Sequence, residues 1–206
     1  MLITFEGLDY SGKSTQVQLL ADRLTLQDHR VLVLREPGGT EIGEKIRKIL
    51  LDKNNDGMTE ASELFLFSAS RSQLIQEVVR PALDGGMVVI CDRYYDSTTA
   101  YQGFGRGIPL EVIHAINQYA TGGLVPDVTF FLDIPIREIE RRIRSAKTNI
   151  DRMESNGIEF YERTRNGFLQ IAKMESRYCV IDGLQPIDDL HELIWQHVTE
   201  AIINQK

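Results

Sequence analysis

The chain has few cysteines and no long apolar segment. Its two cysteines, Cys91 and Cys179, lie in strand-like runs without a CxxC partner or a neighbouring His/Cys cluster. We therefore predict that both are small core side chains in a reducing compartment, without a disulfide between them or a metal site built from them. No window of about 18 apolar residues is present, which argues against a transmembrane helix. The N-terminus also lacks a basic region followed by an apolar run, so we expect a cytoplasmic protein.

The charge balance excludes two classes of partner. The formal net charge is -7, and such an acidic surface repels nucleic acid phosphates and anionic lipids. We therefore expect no nucleic acid and no membrane partner, and any phosphate ligand must be captured by local positive clusters. The length of 206 residues suggests one domain with a small appended lid. Internal repeats, low-complexity tracts and long linkers are absent, so residues 1–206 are predicted to form a single domain.

Short apolar runs alternate with longer segments of helical periodicity. The predicted strands are residues 2–6, 31–35, 87–91, 128–133 and 177–181. The predicted helices are residues 13–27, 41–51, 60–84 (ended or bent near Pro81), 110–119, 135–146, 157–175 and 186–204. Apolar strands separated by helices indicate a parallel sheet that is covered on both faces. The fold class is therefore a three-layer α/β fold.

A phosphate-binding loop follows the first predicted strand. Residues 7–14 (GLDYSGKS) match the pattern G-x-x-x-x-G-K-[ST] without a mismatch, between a strand and a helix. Gly7 and Gly12 permit backbone conformations that a Cβ would block, so successive N–H groups can point at phosphate oxygens. Lys13 is expected to reach the β- and γ-phosphates of a nucleoside triphosphate, and Ser14 to ligate Mg²⁺. The predicted residues of this nucleotide site are Gly7, Leu8, Asp9, Tyr10, Ser11, Gly12, Lys13, Ser14 and Thr15.

The loop motif alone does not distinguish a kinase, an ATPase or a switch GTPase. A guanine-reading N/T-K-x-D motif is absent, which weakens the GTPase interpretation. Six segments, however, resemble the bacterial thymidylate kinase family, in the family's order and over nearly the whole chain. They are FEGLDYSGKST at 5–15, REPGGT at 35–40, LFLFSASRSQ at 64–73, CDRYYDSTTAYQGFGRG at 91–107, PDVTFFLD at 126–133 and IDRMES at 150–155.

The resemblance implies a P-loop nucleoside monophosphate kinase with a specific reaction. This enzyme would transfer the γ-phosphate of ATP to dTMP and release dTDP and ADP, in dTTP synthesis for DNA replication. The resemblance also implies a P-loop fold with a five-stranded parallel sheet in the order 2-3-1-4-5 and a small mobile lid. Mg²⁺ would accompany ATP, and the protein would be a homodimer.

Phe67 and Arg71 are four residues apart on a predicted helix and therefore share a face. An aromatic ring and a guanidinium can together stack on a base and hydrogen-bond its carbonyl oxygen. The local sequence LFLF by itself favours a core position for Phe67. The resemblance instead implies that these two residues stack on thymine and read its O4.

Asp92 and Arg93 come at the end of the third predicted strand, where ligands bind in sheets of this class. Arg93 is expected to grip the dTMP phosphate in a bidentate manner. Asp92 is expected to orient Arg93 or to hold Mg²⁺ and its water shell together with Ser14. A surface ion pair is the alternative interpretation of this dipeptide.

The resemblance assigns further residues to the acceptor pocket. Asp9 would contact the acceptor's 3′-OH and Arg93, and Tyr101 would lie beneath the deoxyribose, where a 2′-OH is crowded. Arg47 would be a further phosphate ligand, although a solvent-facing arginine is a competing interpretation. The other predicted substrate-binding residues are Glu36, Pro37, Ser97, Thr98 and Gln102.

A cationic stretch interrupts the acidic chain over residues 137–152 and overlaps the predicted lid, about residues 141–155. It contains Arg137, Arg141, Arg142, Arg144, Lys147 and Arg152. Such a run is often a solvated face, but its position matches the lid of the resembled family. An arginine near the transferring phosphoryl group can contribute about 10³–10⁵-fold in rate. The phosphate loop carries no arginine, so the lid is expected to supply it.

The predicted catalytic residues combine this lid with the loop and the third strand. They are Asp9, Lys13, Arg93 and the lid candidates Arg142, Arg144 and Arg152, which the sequence does not rank. No general base is required, because a phosphate monoester is already largely a dianion at neutral pH. Two alternatives stay open. One is another nucleoside monophosphate or deoxynucleoside kinase, and the other is a non-catalytic nucleotide-binding module.

Overall fold

The computed structural model describes residues 1–146, 151–154 and 156–204. At its centre is a five-stranded parallel sheet with the order β2-β3-β1-β4-β5. The strands are β1 Leu2–Glu6, β2 Val31–Arg35, β3 Val88–Asp92, β4 Val128–Asp133 and β5 Tyr178–Asp182. The predicted fold class and strand order are confirmed. β3 and β5 each begin and end one residue later than predicted, which is the usual uncertainty of element ends.

Helices cover both faces of the sheet. They are α1 Lys13–Leu26, α2 Glu41–Leu51, α3 Glu60–Leu74, α4 Arg80–Asp84, α5 Tyr95–Thr98, α6 Leu110–Thr121, α7 Ile136–Ala146, α8 Ile158–Met174 and α9 Ile187–Asn204. Alternate residues of β1 point to opposite faces, as the two-residue period of a strand requires. Ile3 and Phe5 pack in one apolar cluster with α1 and α9, whereas Leu2 packs in another with α3 and β2.

The predicted helix 60–84 is irregular but continuous. α3 passes through a π-helical turn, Ile75–Val79, directly into α4, which contains Pro81. Proline has no N–H group, and its ring crowds the carbonyl group four residues earlier. A wider π turn relieves that crowding without ending the helix. Pro81 therefore locally widens this helix, and the chain continues to Asp84.

Residues 95–105 form a helix that the sequence did not predict. α5 continues into a π-helical segment, Thr99–Gly105, which is followed by a turn at Arg106. Its threonines and glycines have poor helix propensity, so the local signal is weak. The glycines serve packing instead: a Cβ on Gly105 would lie 2.7 Å from the Phe160 ring and 2.8 Å from Thr164 Oγ1 of α8. Tertiary contact with α8 therefore decides this element.

The structure bears on two expectations from the composition, one about the cysteines and one about membrane-spanning helices. Both cysteines are free thiols, with Cys91 buried in β3 and Cys179 half-buried in β5. Within the described ranges, no helix is long and apolar enough to cross a membrane. Of the predicted lid, residues 147–150 and 155, including Lys147, lie outside the described residues.

Candidate active site

A cavity of about 510 Å³ lies where the chain leaves the carboxyl ends of β1, β2 and β3. One wall is the phosphate loop and the start of α1, and the opposite wall comes from α2, α3 and residues 97–102. The predicted site residues that line it are Asp9, Tyr10, Ser11, Gly12, Lys13, Ser14, Thr15, Glu36, Pro37, Arg47, Phe67, Arg71, Asp92, Arg93, Ser97, Thr98, Tyr101, Gln102 and Arg142. Of the described predicted residues, Gly7, Leu8, Arg144 and Arg152 are not part of its lining.

The phosphate loop has the backbone geometry that its glycines predict. Gly7 has a φ of 143°, and a Cβ there would lie 2.8 Å from the Leu132 carbonyl oxygen. Gly12 precedes α1 with a φ of 97° and offers no side-chain cap, whereas Thr40 and Thr59 cap α2 and α3. The first N–H groups of α1 are thus left for a ligand, and the helix dipole favours an anion there.

Lys13 is buried at the base of this loop. Its Nζ donates hydrogen bonds to the carbonyl oxygens of Gly7 (3.1 Å) and Leu8 (2.8 Å). Burial, together with the nearby charge of Arg93, lowers the pKa of Lys13 to about 8. A phosphate group bound beside the ammonium would favour its charged form. Lys13 is therefore held where the loop can bring it to a triphosphate.

Ser14 and Asp92 meet at the cavity wall. The Ser14 hydroxyl donates a 2.6 Å hydrogen bond to Asp92 Oδ2. Two oxygen donors at this distance suit a hard cation such as Mg²⁺, which prefers oxygen ligands and keeps several waters. The described residues contain no cluster of three or more His, Cys, Asp or Glu that could cage a metal by themselves. Oxygen atoms of a nucleotide and water would have to complete the coordination.

Arg93 joins the two walls of the cavity. Its Nη2 donates to Asp9 Oδ1 (2.7 Å) and to the Tyr101 hydroxyl (3.2 Å), and its Nη1 donates to Ser97 Oγ (3.0 Å). Arg93 has a φ of 74°, a left-handed backbone conformation that is uncommon outside glycine and recurs at functional sites. Burial would raise the pKa of Asp9, but the charges of Arg93 and Lys13 outweigh it and lower that pKa.

Glu6 is a site-supporting residue that the sequence analysis missed. It ends β1, is fully buried, and accepts hydrogen bonds from the Tyr94 amide (2.8 Å) and the Ser97 hydroxyl (2.5 Å). Burial, with the neighbouring charge of Asp96, raises the pKa of Glu6 to about 8. By holding the start of α5, it positions Ser97 beneath Arg93. The available signal was a charged residue that closes an apolar strand.

Phe67 and Arg71 line the same side of the cavity, as their four-residue spacing predicts. Arg71 is fully buried and donates to Glu36 Oε2 (2.7 Å), Thr98 Oγ1 (2.9 Å) and the Tyr94 carbonyl oxygen (3.2 Å). A guanidinium has five N–H groups, so this arrangement leaves donors available. Burial raises the pKa of Glu36, although its ion pair with Arg71 opposes the rise.

Arg47 lines the cavity, whereas the competing interpretation from the sequence placed its side chain in solvent. It reaches across from α2, and its Nη1 donates to the Pro37 carbonyl oxygen at 2.9 Å. Burial and the charge of neighbouring Arg35 lower the pKa of Arg47. With Arg35 and Arg93 also in the lining, this end of the cavity concentrates positive charge in an acidic protein. Such a concentration suits a phosphorylated ligand.

The three lid arginines occupy different places. Arg142 Nη1 donates to the Tyr10 carbonyl oxygen of the phosphate loop (2.9 Å), and its Nε donates to Glu138 (2.8 Å). The Arg144 side chain is 80 % exposed and lies 3.7 Å from Glu140. Arg152 is buried, where its Nη1 donates to Glu63 (2.7 Å) and its Nε to the Leu50 carbonyl oxygen (2.7 Å). Of the three candidates, the structure brings Arg142 to the phosphate loop.

A family model described as thymidylate kinase matches residues 5–194 of the chain. This range includes the phosphate loop, both walls of the cavity and the arginines of α7. The chain belongs to the thymidylate kinase family. The resemblance of the six sequence segments is thereby confirmed, as is the enzyme class, because members of this family are phosphotransferases.

Individual members of the family match the chain over nearly its full length. It is 51% identical to the thymidylate kinase of Chlorobium chlorochromatii over 205 residues, covering 94% of this chain and 92% of the relative. It is 49% identical to that of Pelodictyon phaeoclathratiforme, covering 93% of this chain and 92% of the relative. The crystal structure of thymidylate kinase from Ehrlichia chaffeensis superposes with a TM-score of 0.79 at 35% identity, covering 97% of this chain and 98% of that chain.

Proposed function

We propose that the protein transfers the γ-phosphate of ATP to dTMP and forms dTDP and ADP, for dTTP synthesis. One observation carries this proposal: a single cavity joins the phosphate loop to a wall with an aromatic ring, a buried guanidinium and arginines that line the cavity. Family membership supports the same reaction. The cytoplasmic location of the protein stays a prediction from the sequence.

The donor end of the cavity is proposed to hold ATP with Mg²⁺. The amides of the loop and of the first turn of α1 would receive the phosphates, with Lys13 beside the β- and γ-phosphates. Ser14 and Asp92 would hold the metal through their oxygens. When bound, Mg²⁺ supplies neutralisation of the charge on the transferring phosphoryl group.

The acceptor end is proposed to hold dTMP. Arg93 and Arg47 would bind its phosphate, and the base would stack on Phe67 with its O4 toward Arg71. The Tyr101 ring would lie beneath the deoxyribose, and Asp9 would bind the 3′-OH while it keeps Arg93 in place. Gln102 would face the base from the side of residues 99–105.

Catalysis then requires that the two reacting phosphates be positioned and that the negative charge on the transferring group be stabilised. An oxygen of the acceptor phosphate attacks the γ-phosphorus, and the bond from that phosphorus to the ADP oxygen breaks. The acceptor is already largely a dianion at neutral pH, so no base has to remove a proton. Lys13 and Arg142 would stabilise the charge on the transferring group. We assign the lid arginine role to Arg142, because Arg144 is exposed and Arg152 pairs with Glu63.

A panel of acceptors tests the function directly. ADP release would be measured with ATP and, in turn, dTMP, dUMP, CMP, AMP and thymidine. The highest kcat/KM is expected for dTMP, and thymidine is expected to be inactive because it gives Arg93 and Arg47 no phosphate to bind. Thymidine as the best acceptor would instead indicate a deoxynucleoside kinase. ATP binding without ADP release in any mixture would indicate a non-catalytic module.

We also propose a homodimer that forms through the exposed face of α2, α3 and α6. These helices pack side by side. Their exposed apolar side chains include Ile42 and Ile49 on α2, Phe65 on α3 and Val112 on α6, and Phe65 is 61% exposed. Exposed apolar side chains on adjacent helices are costly to leave in water and would mark a contact surface.

Phe65→Glu is expected to convert the dimer into a monomer, measured by analytical ultracentrifugation over a range of concentrations. A charge buried without a partner would oppose association at this face. Leu26→Glu is the matched control, since Leu26 is 82% exposed at the end of α1, outside the proposed face. An unaltered dimer in Phe65→Glu, or a monomer in the unmodified protein, would refute the proposal.

A further inference from the structure

Glu63 is a buried carboxylate on α3 for which the mechanism has no role so far. It lies one helical turn before Phe67 and is 1% exposed. Its oxygens accept hydrogen bonds from Gln102 Nε2 (2.9 Å), Arg106 Nε (3.2 Å), Arg106 Nη2 (3.1 Å) and Arg152 Nη1 (2.7 Å). A single carboxylate thus connects the acceptor wall with the turn at Arg106 and with Arg152 of the lid segment.

The hydrogen-bond donors around Glu63 favour its ionised form. Burial by itself would raise the pKa of Glu63, but the hydrogen bonds from Arg106 and Gln102 outweigh it and lower that pKa. An ionised carboxylate has no proton and can only accept hydrogen bonds. Gln102 must therefore present its amide nitrogen to Glu63, because its carbonyl oxygen would be repelled there. This argument fixes the orientation of the amide on chemical grounds.

The other end of the Gln102 amide is free for a ligand. Gln102 lines the acceptor side of the cavity, and its carbonyl oxygen accepts no hydrogen bond from the residues in the described ranges. Thymine and cytosine differ at the edge that would meet this oxygen. N3 of thymine carries a hydrogen and donates, whereas N3 of cytosine is an acceptor. A carbonyl oxygen at this place accepts a hydrogen bond from N3–H of thymine and is repelled by the lone pair on N3 of cytosine.

We propose that Glu63 is a positioning residue for base specificity. It holds the Gln102 amide so that the carbonyl oxygen faces the pyrimidine, which favours a base with a protonated N3. This inference rests on the proposed placement of the base beside Phe67 and Gln102. Glu63 itself does not line the cavity, so it acts on the substrate through Gln102.

The test compares dTMP with 5-methyl-dCMP, because these acceptors share the methyl group and differ at N3 and position 4. The readout is the ratio of their kcat/KM values, together with the ratio of their Kd values from calorimetry. In Glu63→Gln the ratio is expected to fall roughly tenfold, the usual effect of one mispaired buried hydrogen bond. A neutral amide at position 63 accepts or donates equally well, so Gln102 can turn its nitrogen toward cytosine.

Two control variants separate this role from general support of the fold. Arg106→Lys disturbs the same buried ion pairs but leaves the bond between Glu63 and Gln102, so it is expected to keep the ratio. Gln102→Met removes the amide, so the ratio is expected to fall at least as far as in Glu63→Gln. Adding Glu63→Gln to Gln102→Met is expected to cause no further fall. An equal fall in Arg106→Lys and Glu63→Gln would overturn the inference, because it would indicate a packing effect.

The remaining outcomes distinguish the inference from the proposed function. If Gln102→Met lowers the ratio and Glu63→Gln does not, the positioning role is wrong and the base placement stands. If Gln102→Met leaves the ratio unchanged, the base placement is wrong, and the inference fails with it. Thermal unfolding checks that each variant folds. Should Glu63→Gln fail to fold, Glu63→Asp keeps the charge on a shorter side chain: a lowered ratio supports the role, and an unchanged ratio overturns it.

Discussion

Replacing Arg142 by alanine is expected to lower kcat by about 10³-fold or more, the scale of an arginine that stabilises a transferring phosphoryl group. The Arg142 guanidinium already donates to the Tyr10 carbonyl oxygen of the phosphate loop, so it lies next to the proposed site of the γ-phosphate. The loss is expected in kcat more than in the KM for either substrate, because the charge that Arg142 meets develops in the transition state. Steady-state kinetics with dTMP and ATP measure this split.

Arg144→Ala is the matched control for this prediction. Arg144 lies on the same helix, carries the same charge and is 80 % exposed in its side chain. Its loss is expected to change kcat by less than about threefold, since exposed ion pairs contribute little. A severe effect of Arg144→Ala together with a mild effect of Arg142→Ala would reverse our assignment. Equal, severe effects would indicate that the lid needs its total charge.

Lys13→Met is expected to lower kcat/KM for ATP by about 10²–10³-fold, the usual loss for a donor aimed at developing negative charge. Methionine keeps the length of the side chain and removes the ammonium that would meet the β- and γ-phosphates. Lys45→Met is the control, because Lys45 is an exposed lysine on α2 that pairs with Glu41. Near-normal kinetics in Lys13→Met would contradict the proposed donor site.

The lowered pKa of Lys13 adds a pH dependence to this prediction. With a pKa of about 8 in the free protein, Lys13 loses its proton as the pH rises through 8. A neutral amine attracts phosphate less, so the KM for ATP is expected to rise between about pH 7 and pH 9. The rise should be absent in Lys13→Met, which has no proton to lose at this position. The same rise in both proteins would assign the titration to another group.

The ion pair between Asp9 and Arg93 explains how the two substrate ends are linked. Asp9 belongs to the phosphate loop and Arg93 to the segment after β3, and they meet at 2.7 Å because β1 and β3 are neighbours in the sheet. Arg93, the proposed ligand of the acceptor phosphate, is thus held in place by Asp9 of the proposed donor loop. Such preorganisation matters in phosphoryl transfer, where the protein contributes mainly position and charge.

Local patterns were sufficient for much of the scaffold and for the position of the phosphate loop. The loop was recognisable because its glycines, lysine and serine lie within one turn between a strand and a helix. The strands and most helices followed from apolar periodicity, because the buried face of each element repeats along the chain itself. The spacing of Phe67 and Arg71 likewise predicted their shared face, since four residues make about one helical turn.

Other features depended on contacts between residues that are far apart in the chain. The helix at residues 95–105 has poor propensity and forms where Gly105 packs against α8. The hydrogen-bond partners of Glu6 and Glu63 lie tens of residues away in the chain, so no local pattern reveals them. The three lid arginines look alike in sequence, yet only packing separates Arg142 on the phosphate loop from Arg152 on Glu63. Burial and charge pairing, which the folded chain alone creates, made these distinctions.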